Sequence, residues 1–266
     1  MRSPRCGDCR STFRGNSAAG LHEGTILSIC HIVEFGLIGY GDAWALQKRL
    51  VAARKANAIE DVLLLCEHPH VITLGRNGKR EHLLASEHLL KQKGVELHAT
   101  DRGGDITYHG PGQIVGYPIL NLGAIRRDVV WYVRMLEEAM IRATAEFRIA
   151  AGRIEGKTGI WVRTATTEEK LAAIGVHISR WVTSHGFAYN VSTDLRFFDL
   201  IVPCGIADRK ATSLEKILGR SIERKEVAPQ LVKHFGEVFG LEMTQASRQE
   251  LLEKLEQAER PVVLSA

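Results

Sequence analysis

The sequence predicts one main domain in which helices cover the faces of a mixed β-sheet, a fold of the α/β or α+β class. Its 266 residues, 45% hydrophobic and 25% charged, have an ordinary globular composition and can bury a full core. Apolar runs typical of buried strands are interspersed with amphipathic helical stretches. Because strands and helices do not alternate strictly, their order favours a sheet of mixed strand direction with a helical C-terminal end.

The first half of the chain carries the signals of one helix and two strands. A regular pattern begins with the apolar run at 26–33. Asp42 is expected to cap the helix that follows, in which apolar residues recur at helical spacing. Two buried strands are predicted at 61–66 and 71–74.

The second half begins with the clearest helix of the sequence. Asp128 stands at the cap position before an apolar stripe that runs from Val129 to Phe147 and is typical of a helix packed on a core. Strand signals return at 158–162, 171–178 and 186–191. Helical patterns follow at 212–218 and 226–259.

The two ends of the chain differ from its middle in composition. Residues 1–24 are rich in Arg, Ser and Gly and poor in apolar residues, so we expect a flexible basic extension. A transit peptide, a genuine tail and translation from an upstream start codon are three open interpretations of it. We therefore divide the chain into this extension, a folded domain at 25–243 and a C-terminal helical extension at 244–266.

Charge and cysteine content exclude several functional classes. The net charge of +4 is small, and the dense basic stripe of a nucleic-acid binder is missing. No apolar stretch approaches the roughly 20 residues of a membrane span, so we expect a soluble, cytoplasmic protein. The five cysteines are scattered, which fits a reducing compartment. Cys6 and Cys9 form a CxxC pair without a second pair to complete a zinc site, so no metal is predicted.

The densest group of unusual residues lies at 102–113, where four glycines, a proline and several polar side chains interrupt the strand pattern. Glycines allow the backbone to approach a ligand closely, and Arg102 and His109 place polar groups beside them. The glycine spacing fits neither a phosphate-binding P-loop nor a dinucleotide-binding fingerprint. A purely structural glycine-rich turn is the alternative.

Two further candidates are Cys204 and Lys170. Cys204 lies between a proline and a glycine, where a turn can present its thiol as a nucleophile; a small buried residue is the alternative. Lys170 begins an apolar strand in which Gly175 leaves room for a ligand or another backbone; a solvated edge lysine is the alternative. Cys30 and Cys66 lie inside apolar runs and are expected in the core.

These segments together resemble the octanoyltransferases of lipoate biosynthesis. Arg-Gly-Gly-x-x-Thr-x-His-x-x-Gly-Gln stands at 102–113, Lys-x-Ala-x-x-Gly at 170–175 and Pro-Cys-Gly-Ile at 203–206. Flanking segments at 73–76, 184–191 and 211–214 agree with the family, so the resemblance covers roughly 29–241. Tyr189 stands where leucine is commoner in the family, a difference expected to affect packing rather than chemistry.

The resemblance implies a fold shared with biotin protein ligases and lipoate ligases, and catalysis through a covalent acyl-enzyme. Cys204 would attack the octanoyl thioester, while Lys170 would favour the thiolate and later accept a proton from the incoming amine. Neither a metal nor a nucleotide cofactor is implied, because a thioester is already activated. The implied substrate-binding residues are Arg76, Arg102, Gly103, Gly104, Asp105, Ile106, Thr107, Tyr108, His109, Gly175, Val176, His177, Gly186, Phe187 and Ala188.

The same resemblance implies the partners. The donor would be octanoyl-acyl carrier protein, and the acceptors would be the lipoyl domains of 2-oxoacid dehydrogenase E2 subunits and the glycine cleavage H protein. Such proteins are typically acidic, which suits a mildly basic enzyme. We expect a monomer that binds neither nucleic acid nor membrane.

Two other functions are weighed against this one. An ATP-dependent lipoate or biotin ligase would use the loop at 102–113 to hold a nucleotide, but lipoate ligases favour a His-Asp pair ending in Gly-Asn there and need no cysteine at position 204. A non-catalytic regulatory module would contact DNA through the basic extension. The net charge of +2 in residues 1–24 and the absence of a helix-turn-helix pattern count against that function.

Overall fold

The computed structural model describes residues 28–164, 167–202 and 210–260. The extension at 1–24, with Cys6 and Cys9, lies outside the described residues, and so does Cys204. Within the described ranges, no helix combines the length and apolarity that crossing a bilayer requires.

The described chain forms eleven strands and seven helices. The strands are β1 (Ser28–Leu37), β2 (Asp61–Glu67), β3 (Val71–Leu74), β4 (Glu96–Ala99), β5 (Ile106–His109), β6 (Gln113–Ile119), β7 (Ala151–Ile154), β8 (Lys157–Arg163), β9 (Glu168–Ser179), β10 (Val182–Asn190) and β11 (Leu241–Gln245). The helices are α1 (Tyr40–Lys55), α2 (Glu87–Gln92), α3 (Leu122–Ile125), α4 (Val129–Ala145), α5 (Leu214–Leu218), α6 (Arg224–Phe239) and α7 (Arg248–Glu259). Short 3-10 helices lie at Arg80–His82 and Leu195–Leu200.

The strands form two sheets. The large sheet has eight strands in the order β11-β1-β2-β6-β10-β9-β8-β7, with β1 parallel to its two neighbours and the other pairs antiparallel. The small sheet has the order β4-β3-β5, in which β3 runs parallel to β4 and antiparallel to β5. The predicted mixed sheet is thus confirmed.

Both faces of the large sheet are covered by helices because successive side chains of its central strands point to opposite sides. In β2, Leu63 and Leu65 pack into the cluster that contains the apolar sides of α4 and α6. Val62 and Leu64 pack instead into a second cluster with residues of α1 and α7. A third, smaller cluster lies under the small sheet around Tyr108. The predicted class, helices on the faces of a mixed sheet, is therefore confirmed.

Local signals identified some elements correctly and missed others. Asp128 caps α4, as predicted, by accepting a hydrogen bond from the Trp131 amide at 2.9 Å. Asp42 does not cap α1, which begins two residues earlier, after Gly39. The continuous helix predicted at 226–259 is wrong: Gly240, with φ of +65°, ends α6, and β11 then pairs with β1 before α7 begins. The glycine-rich segment at 102–113 also contains a strand, β5.

Tyr189, the position at which the chain departs from its family pattern, is fully buried in the core. Its hydroxyl lies 2.7 Å from Oγ1 of Thr144, which also donates to the Met140 carbonyl. We expect Tyr189→Phe to lower the free energy of unfolding by about 1 kcal/mol, because one buried hydrogen bond is lost while Thr144 keeps its second partner. Urea denaturation measures this; an unchanged midpoint would show that the bond does not contribute.

Candidate active site

A cavity of about 580 Å³ lies where the chain between β4 and β5 meets the large sheet. Its wall includes Tyr40 of α1 and residues of β6, β8, β9 and β10. Thirteen of the sequence-predicted site residues line it: Arg102, Gly103, Gly104, Asp105, Ile106, Thr107, His109, Lys170, Gly175, Val176, Gly186, Phe187 and Ala188. The structure therefore brings the segment at 102–109 against the consecutive strands β9 and β10, which lie far from it in the sequence.

The turn at Arg102 and Gly103 is seated directly on β9. The Gly103 amide donates to the Val176 carbonyl at 2.8 Å. A side chain at Gly175 would place its Cβ only 2.8 Å from the Gly103 carbonyl oxygen, so the glycine is required by this close approach. The turn and the strand thus form one continuous wall of the cavity.

The guanidinium of Arg102 holds this turn from beneath. Arg102 is only 7% exposed, and its Nη2 donates to the Thr73 carbonyl at 2.7 Å and to Thr73 Oγ1 at 2.9 Å. These bonds tie the turn to β3. Arg102 therefore shapes the cavity wall through the backbone, as well as lining it.

A buried chain of hydrogen bonds connects the turn after β5 to the neighbourhood of Lys170. His109 Nδ1 lies 2.9 Å from Gln113 Oε1, and Gln113 Nε2 donates to Asn190 Oδ1 at 2.9 Å. Asn190 Nδ2 donates in turn to the Thr212 carbonyl at 2.9 Å. The Thr212 amide donates to the Lys170 carbonyl, also at 2.9 Å.

This chain fixes the protonation of His109. Burial first, and then the neighbouring His68 and Arg102, lower the pKa of His109 from its ordinary 6.5 to about 3. Since Gln113 donates through its amide nitrogen, its oxygen accepts, and the single ring proton of neutral His109 is assigned to Nδ1. Nε2 is then left as a hydrogen-bond acceptor.

Lys170 lies half-buried at the start of β9. Its ammonium nitrogen is 4.7 Å from the centre of the Trp161 ring, within the range of a cation–π contact. The Lys170 amide donates to the Lys210 carbonyl at 3.0 Å, and Lys210 and Ala211 also line the cavity. Lys170 is therefore adjacent to the point at which the described chain resumes after residues 203–209.

Three predicted site residues lie outside the cavity wall. Tyr108 points to the other side of β5, where its hydroxyl bonds His70 and its ring stacks on Phe197 at a centroid distance of 5.1 Å. Arg76 and His177 contact each other at 2.9 Å beside the turn, nearer the surface. The alternation of β5 explains Tyr108, because His109 and Thr107 face the cavity and the residue between them must face away.

Several cavity residues were missed by reading the sequence. Gln113, Val115 and Tyr117 face the cavity from alternate positions of β6, a strand that the sequence analysis did not assign. His185 also lines it, with φ of +54° and its Nε2 2.8 Å from Asp101. The short, mostly apolar run at 114–120, typical of a strand buried on both faces, was the signal that could have found the first group.

The two described cysteines are core residues, as expected. Cys30 and Cys66 are buried, and burial raises the pKa of both thiols far above the ordinary value. Both thiols therefore stay protonated at neutral pH and are poor nucleophiles.

Comparison with known proteins agrees with this geometry. Residues 39–236 match the family described as the lipoyl protein ligase A/B catalytic domain. The chain is 52% identical over 214 residues to the octanoyltransferase of Solibacter usitatus, covering 80% of this chain and 94% of that protein. It is 50% identical over 223 residues to the octanoyltransferase of Acidobacterium capsulatum, covering 80% and 91%. The chain belongs to the octanoyltransferase family. It is therefore an acyltransferase.

Solved structures share the fold. A bipartite lipoate protein ligase from Thermoplasma acidophilum superposes with a TM-score of 0.66 at 16% identity, covering 87% of this chain and 90% of that one. Lipoate-protein ligase A bound with ATP superposes with a TM-score of 0.63, also at 16% identity, covering 88% and 92%. The lipoate ligase-like architecture implied by the sequence is thus confirmed.

The depressed pKa of His109 predicts a pH-dependent stability. His109 is protonated near pH 6.5 in the unfolded chain but only near pH 3 in the folded chain. Its contribution to the free energy of unfolding is therefore fully present above pH 6.5 and is lost as the pH falls toward 3. Between pH 7 and 5 this one group removes about 2 kcal/mol. We expect His109→Gln to reduce the loss of unfolding free energy between pH 7 and 5 by about that amount, as measured by urea denaturation at the two pH values.

Tyr189→Phe is the matched control, because it changes no group that titrates in this range and must keep the full pH dependence. If the unfolding free energy of His109→Gln depends on pH as steeply as that of the parent, His109 titrates normally in the folded protein.

Proposed function

We propose that this chain transfers an octanoyl group from acyl carrier protein, through a thioester on Cys204, to the lysine amine of lipoyl domains. The observation that carries the proposal is the position of Lys170. It lies on the wall of a cavity of acyl-chain size, and its backbone is bonded to the segment that follows the family's Pro-Cys-Gly-Ile motif.

The cavity suits a medium-length acyl chain. Its wall between the turn and Lys170 is formed largely by small or apolar groups, including Ala173, Ala188 and Val115. In the β9–β10 ladder Ala173 lies directly opposite Ala188, and neither has a side chain beyond Cβ to fill the space above the sheet. At about 0.8 kcal/mol per buried methylene, an octanoyl chain would gain several kcal/mol by entering it.

In the first half-reaction the Cys204 thiolate attacks the thioester carbonyl carbon of the donor. The bond from this carbon to the donor sulfur breaks, and the carrier leaves as a thiol after taking a proton. The Lys170 ammonium stabilises the attacking thiolate and supplies that proton. The product is an octanoyl thioester on Cys204 and a neutral Lys170.

In the second half-reaction the target lysine amine attacks the acyl-enzyme. An amide bond forms, the bond to the Cys204 sulfur breaks, and neutral Lys170 accepts the proton that the amine releases. This restores the thiolate and the ammonium. One pair of residues thus serves both halves, and its apparent pKa values belong to the pair.

The partners follow from the family resemblance. The acceptors we propose are the lipoyl domains of 2-oxoacid dehydrogenase E2 subunits and the glycine cleavage H protein, with the cytoplasm as the site of reaction. We also propose that the enzyme acts as a monomer.

Mass spectrometry of the intact protein tests the nucleophile. After incubation with octanoyl-acyl carrier protein and no ATP, we expect the parent to gain one octanoyl group and Cys204→Ala to gain none, because the acyl group has no sulfur to bond. Cys66→Ala is the matched control and should be acylated like the parent. An adduct on Cys204→Ala would refute the nucleophile. Acyl transfer that requires ATP would establish a ligase instead.

The two roles of Lys170 are separable by substitution. Lys170→Ala should lower the transfer rate by roughly 100-fold or more, because both the stabilising charge and the proton acceptor are lost. Lys170→Arg keeps the charge but neither gives up nor accepts a proton at neutral pH. The leaving thiolate of the first half-reaction can take its proton from water, whereas the attacking amine of the second must lose one to a base. Lys170→Arg should therefore form the acyl-enzyme far better than it transfers the octanoyl group to an amine.

Single-turnover rates of the two half-reactions measure this difference. Lys216→Ala, a surface lysine paired with Glu169, is the control and should behave as the parent does. Equal loss of both half-reactions in Lys170→Arg would contradict a role as base.

A further inference from the structure

The chain between β3 and α2, residues 75–85, connects two parts of the site. Near its start it is bonded to the cavity wall, because the Gly75 amide donates at 3.1 Å to the carbonyl of Asp105, which lines the cavity. Near its end it is bonded to the chain that precedes the family's Pro-Cys-Gly-Ile motif. There the Leu84 amide donates to the Leu200 carbonyl at 2.9 Å. One short segment therefore touches both the cavity wall and the approach to the proposed nucleophile.

His82 is the residue at which these two sets of contacts meet. Its carbonyl accepts a hydrogen bond at 2.7 Å from the amide of Val202, which lies two residues before Cys204 in the sequence. Its side chain contacts the other part of the site, with Nδ1 lying 2.5 Å from Oδ2 of Asp105. Both side chains are largely buried, with 17% of His82 and 11% of Asp105 exposed. The pair is therefore shielded from competing water and is screened only weakly by salt.

The carboxylate of Asp105 is committed to this connection. Its Oδ1 accepts from the Ile106 amide at 2.7 Å and from the Lys79 amide at 3.3 Å, while Oδ2 faces His82. An ionised carboxylate accepts hydrogen bonds and donates none, so the three contacts fit an ionised Asp105 and a proton on Nδ1 of His82. The carboxylate thus fixes the position of His82 relative to the cavity wall.

The described residues on either side of the segment at 203–209 are both anchored. On the far side, the Lys210 carbonyl accepts from the Lys170 amide at 3.0 Å. That anchor is six residues from Cys204, whereas Val202 is only two residues away. A chain spans at most about 3.6 Å per residue, so the Cα atom of Cys204 lies within about 7 Å of that of Val202. The anchor at His82 therefore limits the position of the thiol more tightly than the anchor at Lys210 does.

We infer that His82 is a positioning residue for Cys204. By holding Asp105 with its side chain and Val202 with its carbonyl, it fixes the start of the segment that carries the nucleophile relative to the cavity that receives the acyl chain. The inference rests on the proposed function, because it requires Cys204 to be the nucleophile. His82 is not among the described residues that line the cavity, so its effect on the reaction is exerted through the other residues.

The side chain of His82 can be removed without removing its carbonyl. The hydrogen bond from Val202 can therefore persist in His82→Ala, and what is lost is the link between that carbonyl and the cavity wall. Attack on a thioester depends on how closely the sulfur approaches the carbonyl carbon, and an error of about 1 Å can cost up to 100-fold in rate. The rate of attack should then fall, while the binding of the acyl chain in the cavity is kept.

The test is single-turnover acylation of Cys204 in the full-length protein by octanoyl-acyl carrier protein, followed by intact mass over a range of donor concentrations. We expect His82→Ala to lower the limiting rate about tenfold or more and to leave the half-saturating donor concentration within about twofold of the parent. His88→Ala removes an exposed histidine of α2 and is the matched control, which should keep both values. A limiting rate of His82→Ala equal to that of the parent would overturn the inference.

Substitutions of Asp105 separate this specific contact from a general loss of stability. Asp105→Ala should slow acylation about as much as His82→Ala, and the double variant should be no slower than the slower single variant, because both remove the same link. Asp105→Asn should recover most of the rate, since its Oδ1 can still accept from the two amides and its Nδ2 can donate to Nδ1 of neutral His82.

Two outcomes of this series would contradict the positioning role. One is a double variant in which the two single effects multiply to about 100-fold, as independent effects do. The other is an Asp105→Asn variant that acylates no faster than Asp105→Ala.

The outcomes also separate this inference from the proposed function. No adduct on the parent protein would refute the proposed function itself. An adduct that forms at the parent's rate in His82→Ala would leave the acyl-enzyme intact and refute only the positioning role. Should His82→Ala fail to fold, as judged by circular dichroism, the comparison of Asp105→Asn with Asp105→Ala decides alone.

Discussion

The contact on which the site depends is the hydrogen bond from the Gly103 amide to the Val176 carbonyl. It can form because Gly175 has no side chain that would clash with the Gly103 carbonyl oxygen. It joins the chain between the small sheet's strands β4 and β5 to a stretch of β9 that has no second strand beside it among the described residues. Without it, the turn at residues 102–104 would have no fixed relation to β9, and the space between the two sheets would not be a defined cavity. A buried arginine bonded to β3 holds the same turn from the opposite side, so the wall is fixed at both ends.

A second constraint operates through buried polar groups. Neutral His109 and Gln113 lie four residues apart, and Asn190 lies 77 residues after Gln113. Each side chain satisfies the next, and the last hydrogen bonds reach the backbone of Thr212 and Lys170. Buried polar groups without partners are costly, so this chain permits only a narrow range of relative positions for β5, β6, β10 and the segment at 210–212. The polar residues of the motif at 102–113 thus help to fix the position of Lys170, which is remote from them in the sequence.

The cavity also shows why β9 is longer than the strand beside it. At its start, β9 is enclosed between β8 and the segment at 210–212 and carries Lys170. Past Ala172 no described strand pairs with β9 on the β8 side, and residues 173–176 line the cavity. A single strand thereby presents a fixed lysine, a floor of small side chains and a row of backbone groups, each by the alternation and pairing rules of a β-ladder.

The sequence by itself determined the class of fold, the α4 helix with its Asp128 cap, and the two motifs at 102–113 and 170–175 that line the cavity, because these depend on local periodicity, capping and residue type. It failed where long-range pairing decided the outcome. The residues at 241–245 look helical locally and become a strand because β1 offers them an edge. Tyr108 lies within a site motif but faces away, because strand alternation is fixed only once β5 has paired with β3. Only the tertiary structure decided which side chains reach the cavity, because this depends on the register between strands that are distant from one another in the sequence.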